Sequence, residues 1–221
     1  MANVPVTAGS GTNIATNAIT RDTVTEQMQL VNIGDPATGS PLNISLSGYL
    51  TNQPWDSTKA TYTATSQGQT APVALGPVFI LTGSATKTVK IRRVTFSAVA
   101  TTAITLDMSL IKAITNATGG TGTAVNICLN DSANNAATAV ATAYTVVPTL
   151  SNYSGSFYAS KIYVATGSFA NLPMVSDIRF DDNLYQPPTL RGAAQQFNIY
   201  LYTGLTGGTM DISVVWTEDN T

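Results

Sequence analysis

Met210, Ile212, Val214 and Trp216 occupy alternate positions near the end of the chain, and Ile104, Leu106, Met108 and Leu110 repeat the pattern with Thr105, Asp107 and Ser109 between them. Successive side chains of a β-strand leave opposite faces, so a period of two marks a strand with one face in a core and one in solvent. From Val78 onward such rows recur with Gly, Pro and Asn between them, as in "NATGGTG", "YQPP" and "TGLTGG". Strands are expected at 78–81, 87–100, 104–110, 125–129, 140–146, 157–164, 176–180, 196–202 and 210–217. Many short strands with turn signals predict an all-β fold, a jelly-roll-type antiparallel sandwich over residues 77–221. Buried large apolar side chains contribute roughly 1.5–3 kcal/mol each, so rows of this length supply ample gross burial energy against chain entropy.

Within 87–100 the rows change phase. Val89 and Ile91 share one parity and Val94, Phe96 and Ala98 the other, so a β-bulge is expected at Arg92 and Arg93. The strands at 87–100 and 104–110 read as a hairpin about Thr101 and Thr102. The alanine-rich segment 130–147 has a helical composition, but Val140, Thr142, Tyr144 and Val146 alternate, so a turn over 131–135 and then a strand are expected. Residues 1–76 show no sustained period and are broken by Pro36, Pro41, Pro54 and Pro72. With anchors such as Leu30, Ile33, Tyr49 and Trp55, they read as an extended N-terminal arm that orders against its own body or a neighbouring subunit, with short strands at 43–47 and 61–66.

Reactive chemistry is scarce. Histidine is absent from the 221 residues, and only 10% are charged. That removes the commonest general base and metal ligand, and serine and threonine have no visible activator. No enzyme activity and no cofactor are expected. The formal charge of −2 argues against a nucleic-acid partner. No apolar run is long enough for a membrane helix, and "MANVPVTAGSGTNIATNAITRDTV" has no secretory leader pattern, so synthesis in a cytoplasm without Sec export is expected. Cys128 has no second cysteine to pair with, and its parity opposes Val125, Ile127 and Leu129, which predicts a small, partly buried thiol.

Four groups are candidate sites. Asp177, Asp181, Asp182 and Asn183 offer oxygen ligands of the calcium kind, although Asp177 alternates with Ile178 as a solvent-facing strand residue does. Asp107, Asp211 and Glu218 are the carboxylates that a glycosidase-like pair would need a sheet to bring together. Lys87, Lys90, Arg92 and Arg93 hold four of the ten basic residues, either for contact with an acidic neighbour or to keep an edge strand soluble. Asn198, Tyr200 and Tyr202 share one strand face, a ligand surface if exposed and an interface if covered. Together with Trp55, the basic run and this face form the candidate interface.

The stretches "KIRRVTFSAVATTAITLDMSLIKAITNATGGTGTAVN", "DSANNAATAVATAYTVVPTL" and "LRGAAQQFNIYLYTGLTGGTMDISVVWTED" resemble virion structural proteins of tailed bacteriophages. The shared style is Thr/Ala-rich strands, Asn/Gly-rich loops, few charges and a strong terminal strand. The resemblance implies a capsid decoration or cement protein on the capsid surface, bridging major capsid subunits or other virion proteins, with a trimer at threefold positions. The alternative expectation is a receptor- or carbohydrate-binding module of a tail fibre or baseplate.

Overall fold

The computed structural model describes residues 59–164, 174–180 and 186–220, and two strands nearer the N-terminus at 15–21 and 24–30. The chain divides into two compact units, Met1–Gln53 and Pro54–Thr221. In the first unit, β1 (Ala15–Arg21) pairs antiparallel with β2 (Val24–Leu30), Arg21 lying opposite Val24. The strand expected at 43–47 lies outside the described residues.

The second unit is an all-β sandwich of two antiparallel sheets. Its strands are β3 (Thr61–Thr70), β4 (Gly76–Thr82), β5 (Lys87–Val99), β6 (Ile104–Ala113), β7 (Thr121–Ala124), β8 (Ile127–Leu129), β9 (Val140–Val146), β10 (Tyr153–Val164), β11 (Met174–Arg179), β12 (Thr189–Arg191), β13 (Gln196–Leu201) and β14 (Thr209–Asn220). One sheet has the order β10-β6-β13-β4-β9-β7, and the other β11-β5-β14-β3-β8 with β12 also on β5. The pairs are nested. β3 lies against β14, β4 against β13, β5 against β11 and β6 against β10, so early strands meet late ones throughout. Strands β7 to β9 come from the chain between β6 and β10 and extend the two far edges, β9 on β4 and β8 on β3.

The expected boundary between residues 76 and 77 cuts through this body. β3 is hydrogen-bonded between β14 and β8, and Tyr62 and Ala64 are buried in the core, so the arm ends before β3.

The apolar rows face inward and form one cluster shared by both sheets, with Trp216, Phe79, Phe96 and Phe197 its largest fully buried side chains. All four alternate residues of the terminal strand, Met210 to Trp216, are buried. The bulge occurs where the phase slips. Val215 pairs with Arg93 and Trp216 with Ile91, leaving Arg92 as the extra residue. That insertion keeps Ile91 and Val94 both buried while Arg92 and Arg93 stay more accessible.

Other expectations are corrected. β5 and β6 form no hairpin, because β14 fills one edge of β5 and β11 with β12 fill the other; the link at 100–103 crosses between sheets. The strand expected at 125–129 starts later as β8, while Thr121–Ala124, whose first two residues fall in the expected 116–122 loop, pairs with β9 in the opposite sheet. In β9 the buried side chains are Ala141 and Ala143, and Val140 and Val146 face solvent. Ser109, expected to face outward into solvent, is buried on the outer face. Gly119 and Gly120 do turn the chain at positive φ, and a Cβ on Gly120 would come within 2.7 Å of the Val146 carbonyl oxygen. Asp131 opens the expected turn, its carboxylate accepting from Ala133 N and its carbonyl from Asn134 N.

Candidate binding surfaces

The basic run lies on β5, which is interior to its sheet, so the edge-strand reading of these cations is overturned. Their partners belong to the same chain. Lys90 Nζ stands 2.6 Å from Asp219 Oδ2, and Lys59 reaches the same carboxylate at 3.7 Å. Arg92 Nε donates to Thr217 Oγ1 at 3.3 Å. Arg93 grips Asp177 with two bonds, Nε to Oδ1 at 2.6 Å and Nη2 to Oδ2 at 3.2 Å, and Arg179 shares that carboxylate. The Arg93 hydrogen bond is the main cause holding the Asp177 carboxyl below the usual aspartate range, with Arg179 adding to it. Lys87 begins β5 opposite Asn220, half-buried. Lys90 and Arg93 thus spend their charge on carboxylates of β14 and β11 in the same chain.

The carboxylates do not converge. Asp107 is in one sheet and pairs with Lys161 at 2.7 Å, whereas Asp211 and Glu218 are on β14 in the other, seven positions apart and of opposite parity. Asp211 Oδ1 accepts from Gly68 N at 2.6 Å. Glu218 is buried and accepts from Thr138 N, Ala139 N, Thr138 Oγ1 and Trp216 Nε1 at 2.6–3.1 Å. Sequence spacing gave no sign of this nest, since Thr138 lies 80 residues from Glu218. It fastens the segment entering β9 to the last strand. Asp177 is an ion-pair partner, Asp181, Asp182 and Asn183 lie outside the described residues, and no group of metal-ligating side chains occurs among the described residues.

Cys128 is exposed, which overturns the partly buried thiol. Its parity is as read, opposite the half-buried Ile127 and Leu129, but β8 is a three-residue edge strand whose outer face nothing covers among the described residues. Trp55 lies outside the described residues.

On the outer face of the β13 sheet, exposure rises along one row. Asn198 is fully buried, Tyr200 is half-buried and Tyr202 is 48% exposed. Asn198 pairs across the sheet with Ile80 and Ile111, which are also buried. Its Nδ2 donates to the Ile111 and Gln196 carbonyls, and its Oδ1 has no partner. Beside this row the segment leading into β10 is held in place. Thr118 and Thr149 exchange two backbone bonds, Thr115 Oγ1 donates to Ser151 O, and Ile114 N donates to Asn152 O, where the chain turns at φ 53°. Ala117 N adds a bond to Gln196 Oε1 on β13.

The row and this segment enclose a cleft of about 280 Å³ whose lining includes Tyr153, Tyr200, Tyr202, Leu75, Pro148 and Leu150, and no charged side chain. The Tyr200 and Tyr202 rings lie 4.6 Å apart, tilted by 44°. Burial raises the Tyr200 phenol pKa, and the neighbouring Tyr202 and Tyr153 phenols raise it further. Tyr202 also lines a cavity of about 530 Å³ with Asp107, Ser109, Ser160 and Lys161. The Tyr row is thus divided between cover at its Asn198 end and exposure at Tyr202. The sequence named Asn198, Tyr200 and Tyr202, the last of which falls one residue past the end of β13; Leu75, Pro148 and Leu150 come from loops with no periodic signal.

No protein-family model, curated protein or solved structure matches the chain.

Proposed function

We propose that the protein is a structural component of a tailed-bacteriophage virion, a capsid decoration (cement) protein that stabilises the head by bridging major capsid subunits. The observation that carries this reading is the nested pairing of early with late strands. The orders β3-β14-β5-β11 and β4-β13-β6-β10 support a jelly roll, an architecture used by viral capsid and lectin domains. A body whose cations and carboxylates are largely satisfied internally presents a surface suited to contact through shape and neutral hydrogen bonding. The separate unit Met1–Gln53 serves as the tether. Contacts made only when neighbouring subunits are in place favour the assembled shell by mass action. Three copies around a threefold position complete the proposal, with neither nucleic acid nor membrane as partner.

The test is co-sedimentation with particles of the encoding phage prepared without this chain. Full-length protein sediments with the particles, and protein lacking residues 1–53 stays folded and in the supernatant. Equal sedimentation of the two would remove the tether from the account.

A further inference from the structure

We propose that the tyrosine cleft binds a neutral oligosaccharide, with one sugar ring held among Tyr153, Tyr200 and Tyr202 and the next crossing Tyr202 toward Lys161 and Asp107. The inference rests on the cleft alone and not on the virion reading. The chemistry of the lining selects the ligand. A charged group entering this cleft would lose water without gaining a counter-charge, since no ionised side chain lines it. A wholly apolar ligand would strip water from three phenol hydroxyls, none of which has a hydrogen-bond partner among the described residues. A sugar ring answers both conditions. Its C–H faces lie on aromatic rings, and its hydroxyls donate and accept as phenols do.

Size and continuity agree with this assignment. The cleft, at about 280 Å³, stands at the small end of ligand pockets, and it shares Tyr202 with a cavity of about 530 Å³. There the Lys161–Asp107 pair, 2.7 Å apart, and Ser160 present donors and acceptors to a second ring without net charge. The site is preformed. The segment carrying Pro148 and Leu150 is tied to 114–118 by backbone bonds, Tyr200 stands on a strand interior to its sheet, and Tyr202, one residue past that strand's end, donates its amide to Asp107 O at 2.8 Å.

Titration calorimetry of the full chain with maltotriose, cellotriose, chitotriose and mannotriose tests the proposal, with sialyllactose and a proline-rich peptide as competing chemistries. At least one neutral trisaccharide is expected to bind saturably with a dissociation constant below about 1 mM. Tyr202→Ala should weaken it by about tenfold or more, and Tyr163→Ala, an exposed tyrosine outside the cleft, should leave it unchanged. Tyr153→Ala provides the same readout should the Tyr202 variant misfold. No saturation by about 10 mM with any of the four, affinity unaltered by the cleft substitutions, or preference for sialyllactose or the peptide would overturn it.

Discussion

At Glu218 a buried carboxylate accepts from two backbone amides, a hydroxyl and an indole, and the hydroxyl it holds also meets Ser84 Oγ at 2.7 Å. Ser84 Oγ in turn accepts from the amides of Thr86 and Lys87 at the start of β5. One side chain therefore ties together the entries to β5 and β9 and the end of β14. Removing it strands several donors away from water, which costs far more than the net value of one bond. Glu218→Ala should lower unfolding free energy by about 3 kcal/mol, measured by urea denaturation, because the amides of Thr138 and Ala139 lose their acceptor. Asp211→Asn, exposed on the same strand and still able to accept from Gly68, should stay within about 0.5 kcal/mol of the parent. Equal effects would deny the nest its structural role. Tyr62 belongs to the same neighbourhood, stacked on Trp216 with ring centroids 5.9 Å apart, and its pKa is raised first by burial and then by the Glu218 charge.

Among the elements, β11 is the edge strand whose attachment depends most on charge. It pairs with β5 from Met174 to Arg179, and Arg93 of β5 closes on Asp177 across that pairing while Arg179, two residues along β11, shares the carboxylate. Because the Asp177 carboxyl titrates below its ordinary value in the folded chain, the unfolded chain takes up the proton first as pH falls. The contribution is complete above the ordinary aspartate value and disappears as pH drops through the lower folded one. Hydrogen-exchange protection of β11 amides should therefore fall progressively as pH drops below the ordinary aspartate range, and Asp177→Asn should remove that dependence. An unchanged pH profile in the variant would assign the acid sensitivity to another group. Periodicity made the inward rows of β6 and β14 legible, along with the bulge at Arg92, since a core imposes parity on a strand. It left strand partners unread: parity says which face of β5 is buried and nothing about which edge β6 would take. The alanines of β9 were equally silent, being small enough to face a core without raising the apolar signal of Val140 and Val146 on the other side. The cleft was half legible for the same reason, as Tyr200 and Tyr202 obey strand parity whereas Pro148 and Leu150 are brought in by loop geometry.

Over the whole molecule, two properties coincide. Nested strand pairs bring the beginning and the end of the second unit together in adjacent strands, β3 beside β14, and the few ionised groups are mostly answered from within. A sheet pair of this kind resists local opening because breaking either terminal strand exposes the core row of Tyr62, Ala64 and Trp216. On the proposed virion reading, such a body persists on the outside of a particle, with recognition carried by its neutral surface and by the first unit. Under that proposal, image reconstruction of the intact phage particle tests the account most directly. Density for the two-sheet body on the outer shell, clustered in threes over junctions between major capsid subunits, is the predicted result; a shell bare of it, or the body found only inside the particle, would contradict the account.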